Sequence, residues 1–215
     1  MSDRILLLSS YSKNNLEVFE LTHKNHQAYA EKWCLDTLNV QEPYNPHNNF
    51  KELKLLLQIY KTVISVGADI LFTKFNKDIR EFNDEKYPVV IQEESKGATV
   101  NGDFIFFNKA LLPVIDEFNS EDAKRNTTQT YLNRIRNTGK VFVHPIRTIQ
   151  SLSPFDDRKQ FREAAWQPGD FSMHAVKPGF HADLGWKVDH LGRFISAYAC
   201  YCGFPESAAS AASSS

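Results

Sequence analysis

Apolar residues fall along this chain in short runs separated by stripes of helical spacing. Residues 5–8 form a continuous apolar run that ends in Ser9 and Ser10, as a buried parallel strand does. Residues 16–33 read as a helix opened by Asn14 or Asn15. Phe50, Leu53, Leu57 and Tyr60 make a second helical stripe. Residues 62–66 read as a strand stopped by Gly67, and residues 70–72 as another short apolar piece. Residues 88–92, 103–107, 140–144 and 171–174 read as strands, and 110–118 and 120–136 as helices. The stretch 147–168 carries several turn formers and reads as irregular. This alternation predicts an α/β fold, a central and mostly parallel β-sheet flanked by helices. Open sheets of that kind bind ligands at the carboxyl ends of their strands. The rule points to residues 9–11, 67–69 and 101–103, and to His144 and His174.

Composition narrows the class. The chain has 215 residues, 42% hydrophobic and 13% aromatic, enough for one packed core. A single domain over residues 1–205 is expected, followed by a disordered tail at 206–215 whose last nine residues are only Ala and Ser. Lys and Arg number 25 against 26 Asp and Glu, which argues against a dedicated nucleic-acid binder but leaves room for a small basic groove. Cys34, Cys200 and Cys202 lack zinc-site spacing and read as free thiols of a reducing compartment. No stretch approaches the roughly 18 apolar residues of a membrane span. The start of the chain lacks the features of a signal peptide, so a cytoplasmic protein is expected.

Three segments carry candidate chemistry. In the first, an apolar strand ends in Gly67-Ala68-Asp69. A carboxylate there can hold a divalent cation through oxygen, and the cation can bridge a nucleotide diphosphate; taken alone, Asp69 reads first as a turn or cap residue. In the second, His174 ends a short strand and Lys177 follows beside a Pro-Gly turn, a pairing of metal ligand and phosphate contact or an ordinary core His and turn. In the third, Glu93, Glu94 and Ser95 precede Asn101-Gly102-Asp103. These groups suit sugar hydroxyls, or else mark a solvated hairpin loop, since Asn-Gly is a turn signal.

Taken in order, these segments resemble nucleotide-sugar glycosyltransferases of the GT-A fold. The resemblance is nearest to the galactosyl/xylosyltransferase-like group, glycosyltransferase family 34, and to related viral enzymes that decorate capsid glycans. It runs from about Ile5 to Lys177. It rests on Ser9-Ser10, on Asn25 with Tyr29-Ala30, on Lys51 and Lys54, on Gly67-Ala68-Asp69, on the stretch from Asn101 to Asn108, and on Gly169-Asp170-Phe171 with His174. The resemblance implies a donor site at Ser9, Ser10, Tyr11, Lys51, Ala68, Asp69 and Lys177, and a metal, Mn²⁺ or Mg²⁺, held by Asp69 and His174. The family's Asp-x-Asp pair is incomplete, because its first acid falls on Gly67.

The implied reaction is transfer of a sugar from a nucleoside-diphosphate sugar, a UDP-sugar first, to a glycan or glycoprotein acceptor. The cation would offset the charge growing on the diphosphate. Asp103, Glu93 or Glu94 would act near the anomeric carbon, as stabiliser or general base. Asp156 and Asp157 are further acceptor-side candidates. A second register for the late site, His181 with Gly185 and Lys187, resembles glycogenin-like transferases. The same segment offers His181, Asp183 and His190 as a facial-triad-like set for iron. A catalytically weak nucleotide- or glycan-binding module derived from such an enzyme is the alternative, motivated by Gly67. A nucleotidyltransferase fits less well, since residues 9–15 contain no glycine. The lack of an anchor points to a viral, phage or bacterial enzyme.

Overall fold

A computed structural model describes residues 3–11, 13–41, 49–95, 99–118, 128–155, 159–175 and 184–202. The main sheet has six strands: β1 (Ile5–Tyr11), β2 (Asp36–Gln41), β3 (Thr62–Gly67), β5 (Val89–Ser95), β6 (Thr99–Asn108) and β7 (Val141–His144), in the order β2-β1-β3-β6-β5-β7. Every strand runs the same way except β6, which is antiparallel to both β3 and β5. The sheet is therefore α/β and mostly parallel, as the alternation of elements implied. The beginning of β6 thus lies at the edge where β1 and β3 end. A small second sheet contains β4 (Ile70–Phe72), β8 (Ser151–Leu152) and β9 (Ser172–His174), with β9 in the middle.

Period-two alternation sorts the apolar residues of the sheet between its two faces. Leu6, Val63, Ile105 and Phe107 pack on one side with Leu53 and Leu57 of α2 (Asn49–Ile59) and Leu132 of α4 (Thr128–Ile135). Ile5, Leu7, Ile64, Val66, Phe104 and Phe106 pack on the other with Tyr29 of α1 (Leu16–Lys32). A third cluster joins Val18 and Phe19 of α1 to Met173 and to Leu191 and Phe194 of α5 (Leu184–Tyr198).

Several elements differ from the sequence expectation, each for a local reason. β2 was not expected: its sequence is mainly polar and exposed, as an edge strand allows. α5 was not expected either, although Val188, Leu191, Phe194, Ile195 and Tyr198 follow helical spacing; Gly185 and Gly192 interrupt the propensity signal. Residues 110–118 are not one α-helix. A 3₁₀ stretch, Lys109–Val114, contains Pro113 and precedes the short α3 (Ile115–Phe118). Proline lacks an N–H and obstructs the α-helical turn before it. Of the helix expected at 120–136, the described part is α4. The stretch 147–168 holds β8 and a 3₁₀ turn, Lys159–Ala164. Asn15 stands at the N-cap of α1 without a capping side-chain bond. Asn101 and Gly102 lie inside β6 rather than in a hairpin turn. The Ala/Ser tail lies outside the described residues.

One face of α1 is polar and yet buried. Thr22 donates to the Ala68 carbonyl at 2.6 Å. Asn25 donates to the Phe72 carbonyl at 2.9 Å and accepts from the Phe72 N–H at 2.8 Å. His26 Nε2 meets the Ile70 carbonyl at 2.7 Å, and its Nδ1 meets the Ser9 hydroxyl at 2.9 Å. The imidazole is therefore the neutral tautomer that donates from Nε2 and accepts at Nδ1. Burial lowers the His26 pKa from 6.5 to about 4. Between those values the unfolded chain holds the proton and the folded one does not. The stabilisation is complete above pH 6.5 and is lost as the pH falls toward 4. Unfolding free energy is expected to drop by about 3 kcal/mol over that window. Urea denaturation at pH 6.5 and pH 4 reads the change, and His26→Gln is expected to flatten this part of the profile.

Candidate functional site

Asp69 occupies the turn between β3 and β4, and its position is fixed from both sides. The Thr22 bond holds the carbonyl of Ala68. The carbonyl of Asp69 accepts from the N–H of Ala175, just beyond β9, at 2.9 Å. β4 and β9 are antiparallel with Ile70 opposite His174, so the imidazole is delivered beside the carboxylate. His174 Nε2 lies 3.3 Å from Asp69 Oδ1 and 3.4 Å from Asp103 Oδ2. Lys187, from the first turn of α5, is ion-paired with Asp69 Oδ2.

Asp103 reaches this point through an irregularity in β6. Between the pairs Gln92–Asn101 and Val90–Phe106, β6 advances five residues while β5 advances two. Within the excess, the Asp103 N–H donates to Asn101 Oδ1 at 2.8 Å, an Asx-type bond that bends the strand. That bond orients the Asn101 amide, whose Nδ2 then faces His174 Nδ1 at 3.3 Å. The network assigns Nδ1 as the acceptor and Nε2 as the protonated nitrogen, aimed at the two carboxylates.

Asp69 and its neighbours Lys187 and His174 support one another. Burial alone would raise the Asp69 carboxyl, but the Lys187 ammonium and His174 outweigh it and hold the acid well below the usual carboxylate range. Burial lowers both His174 and Lys187, and the Asp69 charge more than reverses this, so each stays more basic than in water. Asp103 is the open member, with 54% of its side-chain surface exposed. Crowding by the protein and the Asp69 charge push its carboxyl upward, an effect that this exposure limits. Gly67 completes the arrangement. A Cβ there would sit 3.0 Å from Asp69 Oδ1 and 3.2 Å from Asp103 Cβ.

The structure brings Asp69, His174 and Asp103 together. Ala68 lies in the same turn, buried. Ser9 is buried with its hydroxyl on His26. Ser10 pairs with Gly67 across β1 and β3, and the Tyr11 ring stacks on Phe19 with centroids 4.0 Å apart. Glu94 accepts from Thr99 at 3.0 Å and Gln129 at 3.2 Å, and its charge reaches Asp103. Glu93 is half-buried on β5 opposite Val100. His144, at the end of β7, lies against the Phe82 carbonyl at 2.7 Å. Lys51 lies in α2, and its side chain is outside the described residues. Lys177, His181, Asp183, Asp156 and Asp157 also lie outside them. His190 meets Ser153 Oγ at 3.2 Å and stacks on Trp186. Asp170 has a structural part: it accepts from Arg147, Ser151 and Gln167 and so braces the approach to β9. Gly169 beside it has φ +101°, a left-handed conformation that favours glycine.

The functional residues not anticipated are Lys187 and Asn101 in its orienting part. The signal for Lys187 was the Gly185-x-Lys187 spacing, read only as an alternative register. Among the described residues, no group of three or more His, Cys, Asp and Glu side chains is arranged to hold a metal ion.

No protein-family model matches the chain, and no curated protein sequence matches it. Solved structures do match. A glycosyltransferase involved in glycosylation of the major capsid of PBCV-1 superposes with a TM-score of 0.64 at 13% identity, over 88% of this chain and 99% of that one. The galactosyltransferase LgtC, solved with donor and acceptor sugar analogues, superposes with a TM-score of 0.54 at 14% identity, over 94% and 98%. GlyE, a glycosyltransferase of Streptococcus pneumoniae TIGR4, gives 0.55 at 11% identity, over 90% of this chain and 64% of its own. The chain has the GT-A fold. No described helix is long and apolar enough to cross a membrane.

Asp69→Asn is expected to lower stability by about 2–3 kcal/mol, because the Lys187 ammonium loses its counter-charge and the His174 Nε2–H its carboxylate acceptor in a buried setting. Adding Lys187→Met is expected to recover at least half of the loss, since no ammonium is then stranded. Urea denaturation midpoints of the two variants and the parent read both effects.

Proposed function

We propose that the chain is a glycosyltransferase that takes a sugar from a nucleoside-diphosphate sugar, with a UDP-sugar as the first candidate, and passes it to a glycan or glycoprotein acceptor. The observation that carries this reading is the Asp69–His174–Asp103–Lys187 cluster at the carboxyl edge of a GT-A sheet, where open α/β sheets take their ligands. The neighbour solved with donor and acceptor sugar analogues supports the two-substrate reading. The capsid-glycosylating neighbour supports a viral setting.

In the reaction, the bond from the sugar's anomeric carbon to the diphosphate oxygen breaks, and its electron pair leaves with the diphosphate. An acceptor hydroxyl oxygen forms the new bond to that carbon, and its proton passes to a base, for which the Asp103 carboxylate is the candidate. The sugar passes through an oxocarbenium-like state. Ser10 and Tyr11, at the end of β1, are the candidates to face the nucleoside, with Ser9, Ala68, Lys51 and Lys177 as the remaining donor-side candidates. Asp103 is the carboxylate of the cluster open to solvent, so it suits the acceptor side, with Glu94 close enough to influence it. Glu93 is a less direct candidate for the same part.

Gly67, standing where the resemblance places an acid, favours a second reading: a nucleotide- or glycan-binding module without turnover. Calorimetric titration with UDP, GDP and CMP tests the donor site, and UDP release from a panel of UDP-sugars separates enzyme from module. UDP is expected to bind in preference to the others. Failure of all three to bind would overturn the donor-site reading. Asp103→Ala is expected to leave UDP affinity unchanged and to lower the transfer rate by roughly 100-fold, in the range of a general base. Loss of UDP affinity instead would move Asp103 into the nucleotide pocket.

A further inference from the structure

A departing diphosphate needs positive charge at the oxygen that takes the electron pair. The sequence expectation supplies it as Mn²⁺ or Mg²⁺ on Asp69 and His174. The donor set as built does not suit that ion. Asp69 already carries a cation, because its Oδ2 is ion-paired with the ammonium of Lys187. The position two residues before Asp69 is Gly67, and a Cβ there would press within 3.0 Å of Asp69 Oδ1. A second acid cannot be accommodated at that position without displacing its neighbours.

His174 is the third point of disagreement. To ligate a metal through Nε2 it must give up the Nε2 proton and carry one on Nδ1. Nδ1 faces the NH₂ of Asn101 at 3.3 Å. Turning that amide over would set its NH₂ against the Asp103 N–H, which now donates to Asn101 Oδ1 at 2.8 Å. The network therefore keeps the proton on Nε2, directed at Asp69 and Asp103.

We propose that Lys187, rather than a divalent cation, is the group that meets the donor's diphosphate, and that this site binds its donor without a metal ion. The inference rests on the donor reading above. An ammonium has three N–H donors, and the bond to Asp69 uses one. Among the described residues no second acceptor is bonded to it, so two are left for phosphate oxygens. Asp69 acts as a positioning residue: its Oδ2 aims the Lys187 ammonium. Asn101 is a positioning residue for His174. The step remains balanced, since Lys187 supplies charge and hydrogen bonds and exchanges no proton or electron pair with the sugar.

The test uses the full chain, stripped with EDTA, with UDP as the probe. UDP affinity by calorimetry is expected to agree within about 3-fold with and without Mn²⁺, a difference under 1 kcal/mol. The Mn²⁺ electron paramagnetic resonance signal is expected to show no protein-dependent change beyond that of UDP alone. Lys187→Met is expected to weaken UDP binding in EDTA by at least about 10-fold, and Lys187→Arg to keep most of it. Circular dichroism verifies that the variants fold, and Lys187→Gln replaces the Met variant if that one does not. UDP binding that requires Mn²⁺, or a folded Lys187→Met that binds UDP as tightly as the parent in EDTA, would overturn the proposal and leave the donor reading standing. Failure of UDP, GDP and CMP to bind with or without Mn²⁺ would overturn both.

Discussion

The site depends on a helix holding on to a turn. Thr22, Asn25 and His26 form a buried polar stripe on α1, and each bonds to backbone between Ala68 and Phe72. Short segments such as β4 have little stability of their own. Tied to α1 and to β9, the segment sets the one turn that carries Asp69. The stripe also explains part of the motif that carried the family resemblance. Asn25 satisfies both backbone groups of Phe72, while the Tyr29 hydroxyl donates to the Lys77 carbonyl and accepts from the Ile79 N–H. Those residues hold up the floor of the site and need not touch a substrate.

The second dependence is the reversed strand. β6 runs against its neighbours, so its first residues rather than its last lie at the ligand edge. The Asx-type bond from Asp103 to Asn101 then bends the strand enough to bring a carboxylate to His174. Charge does the rest. Asp69 lies within ion-pair distance of His174 and Lys187, and these pairings lower the cost of burying their members, whereas Asp69 and Asp103 repel each other.

Much of this was legible in the sequence. The apolar runs at β1, β3 and β6 are strong signals because a buried strand in a two-sided sheet must be continuously apolar. The strand-end rule directed attention to Asp69, Asp103 and His174 before any geometry was known. β2 was not legible because an edge strand need bury little, and its exposed polar residues carry no period. Lys187 carries little signal in the sequence because the pairing of Asp69 with a residue 118 positions later is a tertiary fact. No spacing rule encodes it. The Asn101-Gly102 pair was ambiguous for a different reason. Its turn chemistry is real, but it is used inside a strand to make a bend rather than between strands to make a hairpin.

The crowding around Gly67 constrains how such a site can change over generations. Gly67 and Asp103 are neighbours across β3 and β6, and the space next to one is taken by the other. Any side chain at position 67 meets the Cβ of residue 103, so one is admitted only where the neighbours give by a few tenths of an ångström or residue 103 becomes glycine. Larger side chains at both positions overpack the seam, which destabilises a fold. The two positions are therefore coupled in space, and the residue at one sets what the other tolerates.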